Sequence, residues 1–190
     1  MNKNLKPNHG ELEFLNLAYH KFYKIYDEVM DDSFWQKEAY YRFSRIKDGF
    51  AVYVELLNYE PIQWVIEHIR INRPQMEAEI GSELFKFIRN VIMHFPFFDS
   101  WEEIWIKKSI INWDKDGQTI DKFLKKYSGK ETIKYRFWEP TKKKMTYLDI
   151  RLPLQYGDEK IFLKEFLTEK EGVKFSFILM KKILDTQTQR

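Results

Sequence analysis

Apolar residues recur every three or four positions from Glu11 to Met30, where Leu12, Leu15, Tyr19, Phe22, Ile25 or Tyr26, and Val29 share one stripe. This spacing predicts an amphipathic helix. Asp31-Asp32-Ser33 then supplies N-cap chemistry for a longer segment from Phe34 to about Asn58, whose apolar period runs through Gly49 and stops before Pro61. One long or kinked helix is expected there. A shorter helix is expected from Pro61 to about Ile71, carrying Trp64, Val65, His68 and Ile69, with Arg73-Pro74 as punctuation. The next begins near Pro74 and aligns Met76, Ile80, Leu84, Phe87 or Ile88, and Val91. Pro61 and Pro74 both suit first-turn positions. Pro96 lacks an amide hydrogen and pushes Phe95 out of α geometry, so this helix should end at about His94.

The second half is more mixed. Ser100-Trp101-Glu102-Glu103 has the Ser-x-x-Glu form of a capping box and predicts a helix through roughly Ile111. Asp114-Lys115-Asp116-Gly117 reads as a turn, and Gln118 to Tyr127 as a short helix. From Thr132 to Glu139 the period changes to two, with Ile133, Tyr135 and Phe137 alternating against Lys134 and Arg136. Thr146, Leu148, Ile150 and Leu152 alternate in the same way against Tyr147, Asp149 and Arg151, so Pro140 to Lys144 should link a hairpin through a basic, exposed loop. From Asp158 to about Asp185 the helical period returns, interrupted near Gly172, with Ile161, Phe162, Phe166, Phe175, Ile178, Leu179 and Ile183 as expected buried positions. The predicted class is mainly α: a helical bundle over residues 1–112, with a small C-terminal β-hairpin and further helices over 113–190 packed on it in one compact domain.

Composition narrows the partners without naming one. The 190 residues are 44% hydrophobic and 17% aromatic, ample for a core and unlike a disordered chain. Charged residues make up 32% and nearly balance, so a formal charge of +3 permits anionic partners without demanding them. No apolar run approaches the length of a membrane span, and a cytoplasmic protein without a membrane partner is expected. With no cysteine there is no disulfide framework, thiol nucleophile or Cys-based zinc site. His9, His20 and His68 lack metal-ligand spacing, no His-Glu-x-x-His occurs, Asp31-Asp32 reads as a turn and cap, and no Gly-rich strand-to-helix loop is present to cradle phosphates. Neither a metal nor a cofactor is expected.

One spacing points to chemistry. Arg89-Asn90-Val91-Ile92-Met93-His94 places Arg-Asn-x-x-x-His in the last turns of the helix that Pro96 ends, so His94 stands at the negative end of the helix dipole. At about 100° per residue, Asn90 and His94 lie on nearly one face while Arg89 is about 140° from His94. Such a trio borders a groove that a second chain or another helix completes, which argues for a composite site.

Arg-Asn-x-x-x-His late on a helix, after long helices in a bundle, resembles the HEPN superfamily over roughly the first half of the chain. The resemblance implies an α-helical bundle, usually a homodimer, in which two copies of the motif face each other across a cleft and cleave RNA without a metal. Many such proteins are toxins or antiviral effectors, so an antitoxin or regulatory protein is a further expected partner. Carried over to this chain, His94 is the expected general base or acid for attack of a ribose 2′-hydroxyl on the adjacent phosphate. Arg89 is expected to stabilise the anionic transition state, and Asn90 to position His94 or the phosphate. The implied products are a 2′,3′-cyclic phosphate and a 5′-hydroxyl, with DNA resistant for want of the attacking group. Some relatives carry a tyrosine two places after the histidine; Pro96 stands there in this chain, so control by modifying that tyrosine is not implied.

Phosphate contacts are expected chiefly from Lys86, Lys107 and Lys108, with Lys125, Lys126 and the Lys142 to Lys144 run as further candidates. Tyr135, Phe137 and Trp138 beside Arg136 offer stacking surfaces, although aromatics on a strand pattern usually enter the core. The rival reading is a non-catalytic helical module, antitoxin-like or an adaptor, that holds a protein partner on an aromatic surface. The readings differ in geometry: catalysis needs Arg89 and His94 at a basic, solvent-filled cleft, whereas a binding module leaves them apart or in buried structural pairs.

Overall fold

Asn8 opens the first helix with a reciprocal cap, its side-chain oxygen accepting the Glu11 amide at 2.9 Å while its own amide donates to the Glu11 carboxylate at 2.8 Å. The computed structural model describes residues 7–72, 75–112, 117–130, 133–139 and 142–188. Helix α1 spans His9–Met30 and buries Leu15, Phe22, Ile25 and Val29. Leu12, expected on that stripe, is exposed, because the buried face begins only at Leu15.

Asp31 is indeed a cap, but of a 3-10 turn, Asp32–Gln36: its carboxylate accepts the Ser33 amide at 2.8 Å. Helix α2 starts later, at Ala39, and ends at Leu56, so the long helix expected from Phe34 is divided. Burial explains the break. Phe34 is enclosed by the turn, and the Trp35 indole donates to the Val29 carbonyl at 3.0 Å, folding this segment back onto the last turn of α1. Helix α3 spans Glu60–Asn72 and buries Ile62, Val65, Ile66 and Ile69. Helix α4 (Gln75–Glu79) runs through a π segment, Ile80–Leu84, into α5 (Phe85–His94). In the π segment the Phe85 amide reaches back to the Ile80 carbonyl, and the buried Tyr53 hydroxyl donates to the Gly81 carbonyl at 2.7 Å. A Cβ at Gly81 would stand 2.5 Å from Cδ1 of Ile183, so the end of that side chain would have to move to admit it. The extra residue in the wide turn shifts the phase of the following side chains by about 100°, and so helps set the direction in which the motif points.

The helix expected from Ser100 to Ile111 is three short pieces: a 3-10 turn Trp101–Glu103, strand β1 (Trp105–Ile106) and helix α6 (Lys108–Ile111). Ser100 makes no side-chain cap. Distant partners outcompete the local signal, as the buried Trp101 indole donates to the Leu167 carbonyl at 2.9 Å and the Leu163 amide to the Ile104 carbonyl at 2.9 Å. Helix α7 spans Gln118–Tyr127. The hairpin forms as expected from β2 (Ile133–Glu139) and β3 (Lys144–Ile150), antiparallel with Ile133 opposite Ile150 and Glu139 opposite Lys144. Tyr135 and Phe137 lie against Phe175 at ring distances of 5.0 and 5.1 Å, as core rather than as stacking surface.

The expected helix from Asp158 begins instead with β4 (Ile161–Phe162), antiparallel to β1, followed by α8 (Leu163–Phe166) and α9 (Lys170–Thr188). Its interruption therefore falls just before Lys170, and Gly172 lies inside α9 with its amide donating to the Thr168 hydroxyl at 3.2 Å. Phe162 and Ile178 are half-buried, while Ile161, Phe166, Phe175, Leu179 and Ile183 are buried. Arg73-Pro74, Asp114-Lys115-Asp116, Thr132, Pro140 and Thr141 lie outside the described residues.

The fold is mainly α, a helical bundle with two small two-stranded antiparallel sheets. Helix α1 packs on α2 and α9, α2 on α5, α3 on α4 and α9, and α5 on α7. Buried residues from Leu15 to Leu184 form one cluster. Phe177 of α9 stacks on Phe22 at 5.9 Å in space that exists because Gly49 has no side chain: a Cβ there would stand 2.3 Å from the Phe177 ring. Among the described residues no helix is long and apolar enough to cross a membrane.

Candidate functional site

Helix α5 runs between α2 and α7, and successive residues on it face different neighbours. Arg89 turns toward α2, where its Nη2 donates to Oε1 of Glu55 at 3.1 Å. Asn90 turns toward α7, where its Nδ2 donates to the Thr119 hydroxyl at 3.0 Å. The two are joined by Arg89 Nη1 donating to Oδ1 of Asn90 at 3.2 Å. Glu55, Arg89, Asn90 and Thr119 thus form one hydrogen-bonded chain across α2, α5 and α7. His94 is the last residue of α5, which stops as Phe95 takes φ −118° and ψ 69° ahead of Pro96. It is half-buried and lies about one turn beyond Asn90 on the same face. Met93 and Phe97, on either side of His94 in sequence, are exposed.

The ion pair at Arg89 differs from the other cross-helix arginine pairs. Arg45 meets Glu28 through Nε and Nη2, both at 2.8 Å, and Arg42 meets Glu169 through the same two nitrogens at 2.9 and 3.0 Å. Both are forked arrangements. Arg89 reaches Glu55 through a single nitrogen, the Glu55 side chain is 51% exposed, and Arg89 Nε is buried without an acceptor among the described residues. Arg89 is therefore held in direction without having its hydrogen-bonding capacity filled.

Beside Asn90 lies a groove of about 250 Å³ between α5 and α7. Glu83, Lys86, Phe87 and Asn90 line one wall and Thr119, Lys122, Phe123 and Lys126 the other. Each set is spaced i, i+3, i+4, i+7, one face of a helix. Phe87 and Phe123 stack at 4.2 Å between the walls. At the far end Lys126 donates to both oxygens of Glu83 at 2.8 Å, and the Tyr127 hydroxyl adds a third bond at 3.0 Å. Burial alone would raise the Glu83 carboxyl; the Lys126 ammonium and the Tyr127 hydroxyl outweigh it and hold the group below its ordinary value.

Of the three lysines expected to meet phosphate, Lys86 lines this groove. Lys107 pairs with Asp158 at 3.5 Å, and Lys108 lies over the Tyr156 ring at 5.5 Å; neither lines the groove. Lys125 is paired with Asp121. Trp138 is exposed, whereas Phe137 is buried. Among the described residues no group of three or more His, Asp or Glu side chains is arranged to hold a metal ion. Glu55, Thr119 and Lys122 were not singled out from the sequence. Thr119, Lys122 and Lys126 do share one face of the Gln118–Tyr127 helix, a signal legible in their spacing, but nothing local couples Glu55 to a residue 34 positions away.

Comparisons of the chain with family models, with curated proteins and with solved structures find no match.

Proposed function

We propose that the chain is a metal-independent endoribonuclease of the HEPN type, acting in the cytoplasm as a homodimer with Arg89, Asn90 and His94 as its working residues. The observation that carries this reading is the single-nitrogen pairing of Arg89 with the half-exposed Glu55, joined through Asn90 to the lysine-bearing groove that Asn90 lines, in place of a forked structural pair. A phosphate offers the guanidinium better acceptors than one half-exposed carboxylate oxygen does. In the reaction the 2′-oxygen bonds to phosphorus as the bond from phosphorus to the 5′-oxygen breaks. The 2′-hydroxyl proton passes to a His94 imidazole, and the departing 5′-oxygen gains a proton from an imidazolium. Arg89 offsets the charge that accumulates on the non-bridging oxygens, and Asn90, braced by Thr119, keeps Arg89 in register. A second copy covering the exposed Met93 and Phe97 would bring two motifs together. Control by an antitoxin-like or other regulatory protein fits an enzyme able to damage its own cell's RNA.

The test is incubation in EDTA with end-labelled RNA and with the same sequence as DNA. Cleavage of RNA alone, leaving 2′,3′-cyclic phosphate and 5′-hydroxyl ends, is the expected result. Cleavage of both substrates, or of neither, counts against the reading. The alternative of a non-catalytic binding module draws on the exposed Phe14 and Leu17 of α1 and the groove of about 420 Å³ between the start of α1 and the end of α2. Under that alternative, a tight protein complex forms that is lost on Phe14→Asp and Leu17→Asp and indifferent to Arg89→Ala.

A further inference from the structure

The two walls of the groove between α5 and α7 are unequal in how their charges are satisfied. Lys126 is bound to Glu83 and lies beside Tyr127. Lys86 and Lys122, which stand between that pair and Asn90, are exposed and meet no carboxylate among the described residues. Among the described residues the single acidic side chain lining the groove is Glu83, already engaged, so Lys86 and Lys122 stand on opposite walls of a groove floored by Phe87 and Phe123 without a carboxylate partner of their own there. Helices α5 and α7 run antiparallel here, since Asn90 meets Thr119 at one end and Glu83 meets Lys126 at the other. These two lysines therefore lie between a closed end and the motif, and the open end leads to Asn90, whose Oδ1 accepts from Arg89.

We propose that this groove is the path of the RNA strand next to the cut: Lys86 and Lys122 contact backbone phosphates of single-stranded RNA, and Asn90 marks where that strand reaches Arg89. The proposal rests on the ribonuclease reading for its ligand and adds to it the substrate form and the direction of approach. A basic groove with two unpaired lysines suits a polyanion whose charges are spaced along a chain, and the walls carry no arrangement of fixed base-reading groups beyond Asn90 and Thr119. Preference for unpaired over duplex RNA and weak sequence preference along the groove follow.

The experiment measures equilibrium binding of the full chain to a 2′-O-methyl single-stranded oligonucleotide, which lacks the attacking hydroxyl, across a salt series. Wild type is compared with the double variant Lys86→Gln with Lys122→Gln, and with a control of equal charge loss at exposed sites elsewhere, Lys24→Gln with Lys134→Gln. Each lost phosphate contact reduces the slope of log affinity against log salt by about 0.7 for a single strand, so the groove variant should lose about 1.4 and the control almost nothing. Affinity near physiological salt should fall on the order of tenfold in the groove variant. An unchanged slope, an equal change in the control, or no binding by wild type overturns the proposal. Cleavage of ordinary RNA, followed in parallel, separates the two claims. Groove-dependent binding without any cleavage upholds the groove and sinks the nuclease reading, whereas wild-type cleavage that the groove variant matches, at an unchanged slope, sinks the groove alone.

Discussion

Arg45 and Arg89 each reach a glutamate on a neighbouring helix, yet the two pairings differ in completeness. Arg45 forks onto Glu28 with two bonds of 2.8 Å, and both side chains are at most a quarter exposed. Arg89 touches Glu55 through one nitrogen at 3.1 Å, Glu55 is half in water, and Asn90 rather than a second carboxylate oxygen takes the other contact. The first arrangement fastens α2 to α1 and offers nothing to a ligand. The second costs little to open and keeps a guanidinium aimed at a fixed place. Under the proposed reading, the forked pair is a fastening, and the singly bonded arginine is the one whose terminal nitrogens can exchange a carboxylate for a phosphate.

The sharpest way to break this contrast is at the other end of the motif. His94→Ala removes no large apolar surface and should leave the thermal midpoint close to that of wild type, while the rate of RNA cleavage falls by roughly 10²–10⁴-fold, as expected for loss of a general acid or base. A midpoint shift large enough to account for the lost rate would return His94 to a structural role.

Arg45→Ala should do the reverse. Losing a forked, charge-assisted pair is expected to cost about 1.5–3 kcal/mol, read as a lower midpoint in urea, with specific cleavage activity of the folded fraction unchanged. The Arg45 hydrogen bonds hold the Glu28 carboxyl below its ordinary value of 4.5 against the opposing effect of burial. A depressed folded-state value contributes stability in full above 4.5 that is lost as pH falls through the folded value. The stability gap between wild type and Glu28→Gln should therefore shrink as pH drops below 4.5, and a gap that widens there would refute the assignment.

The smallest effect is expected at Glu55→Gln. A half-exposed, single-bonded partner contributes below about 1 kcal/mol, so chemical denaturation should barely register the change. Its consequence belongs to the motif: Arg89 loses one restraint, and the KM for RNA should shift more than the unfolding free energy does.

How much of this was legible beforehand depends on the range of the interaction. Period-3.6 stripes found α1 and α3 within a few residues, the short helix expected after the Asp114 to Gly117 turn is α7, period-2 alternation found the hairpin, and Pro96 placed the end of the motif helix at His94. Each of those signals lies inside its own element. The segment after Ser100 misled because its capping-box spelling is local whereas Trp101 and Ile104 are satisfied by Leu167 and Leu163, more than fifty residues on. The strand at Ile161–Phe162 was hidden for the same reason, its partner being β1. The π segment rests on the Tyr53 hydroxyl reaching Gly81, a contact no helical period announces. In the site, Arg89, Asn90 and His94 were visible as a spacing; Glu55 and Thr119, which bond Arg89 and Asn90, come from other helices and were not.

The claim that Arg89 is a working group and not a fastening is tested most directly by measuring cleavage and unfolding on one preparation of Arg89→Ala. Cleavage should fall at least about a hundredfold, from loss of a transition-state anion contact, with stability within about 1 kcal/mol of wild type. Retained cleavage, or a loss of stability as large as that of Arg45→Ala with cleavage falling only in proportion to unfolding, would contradict it.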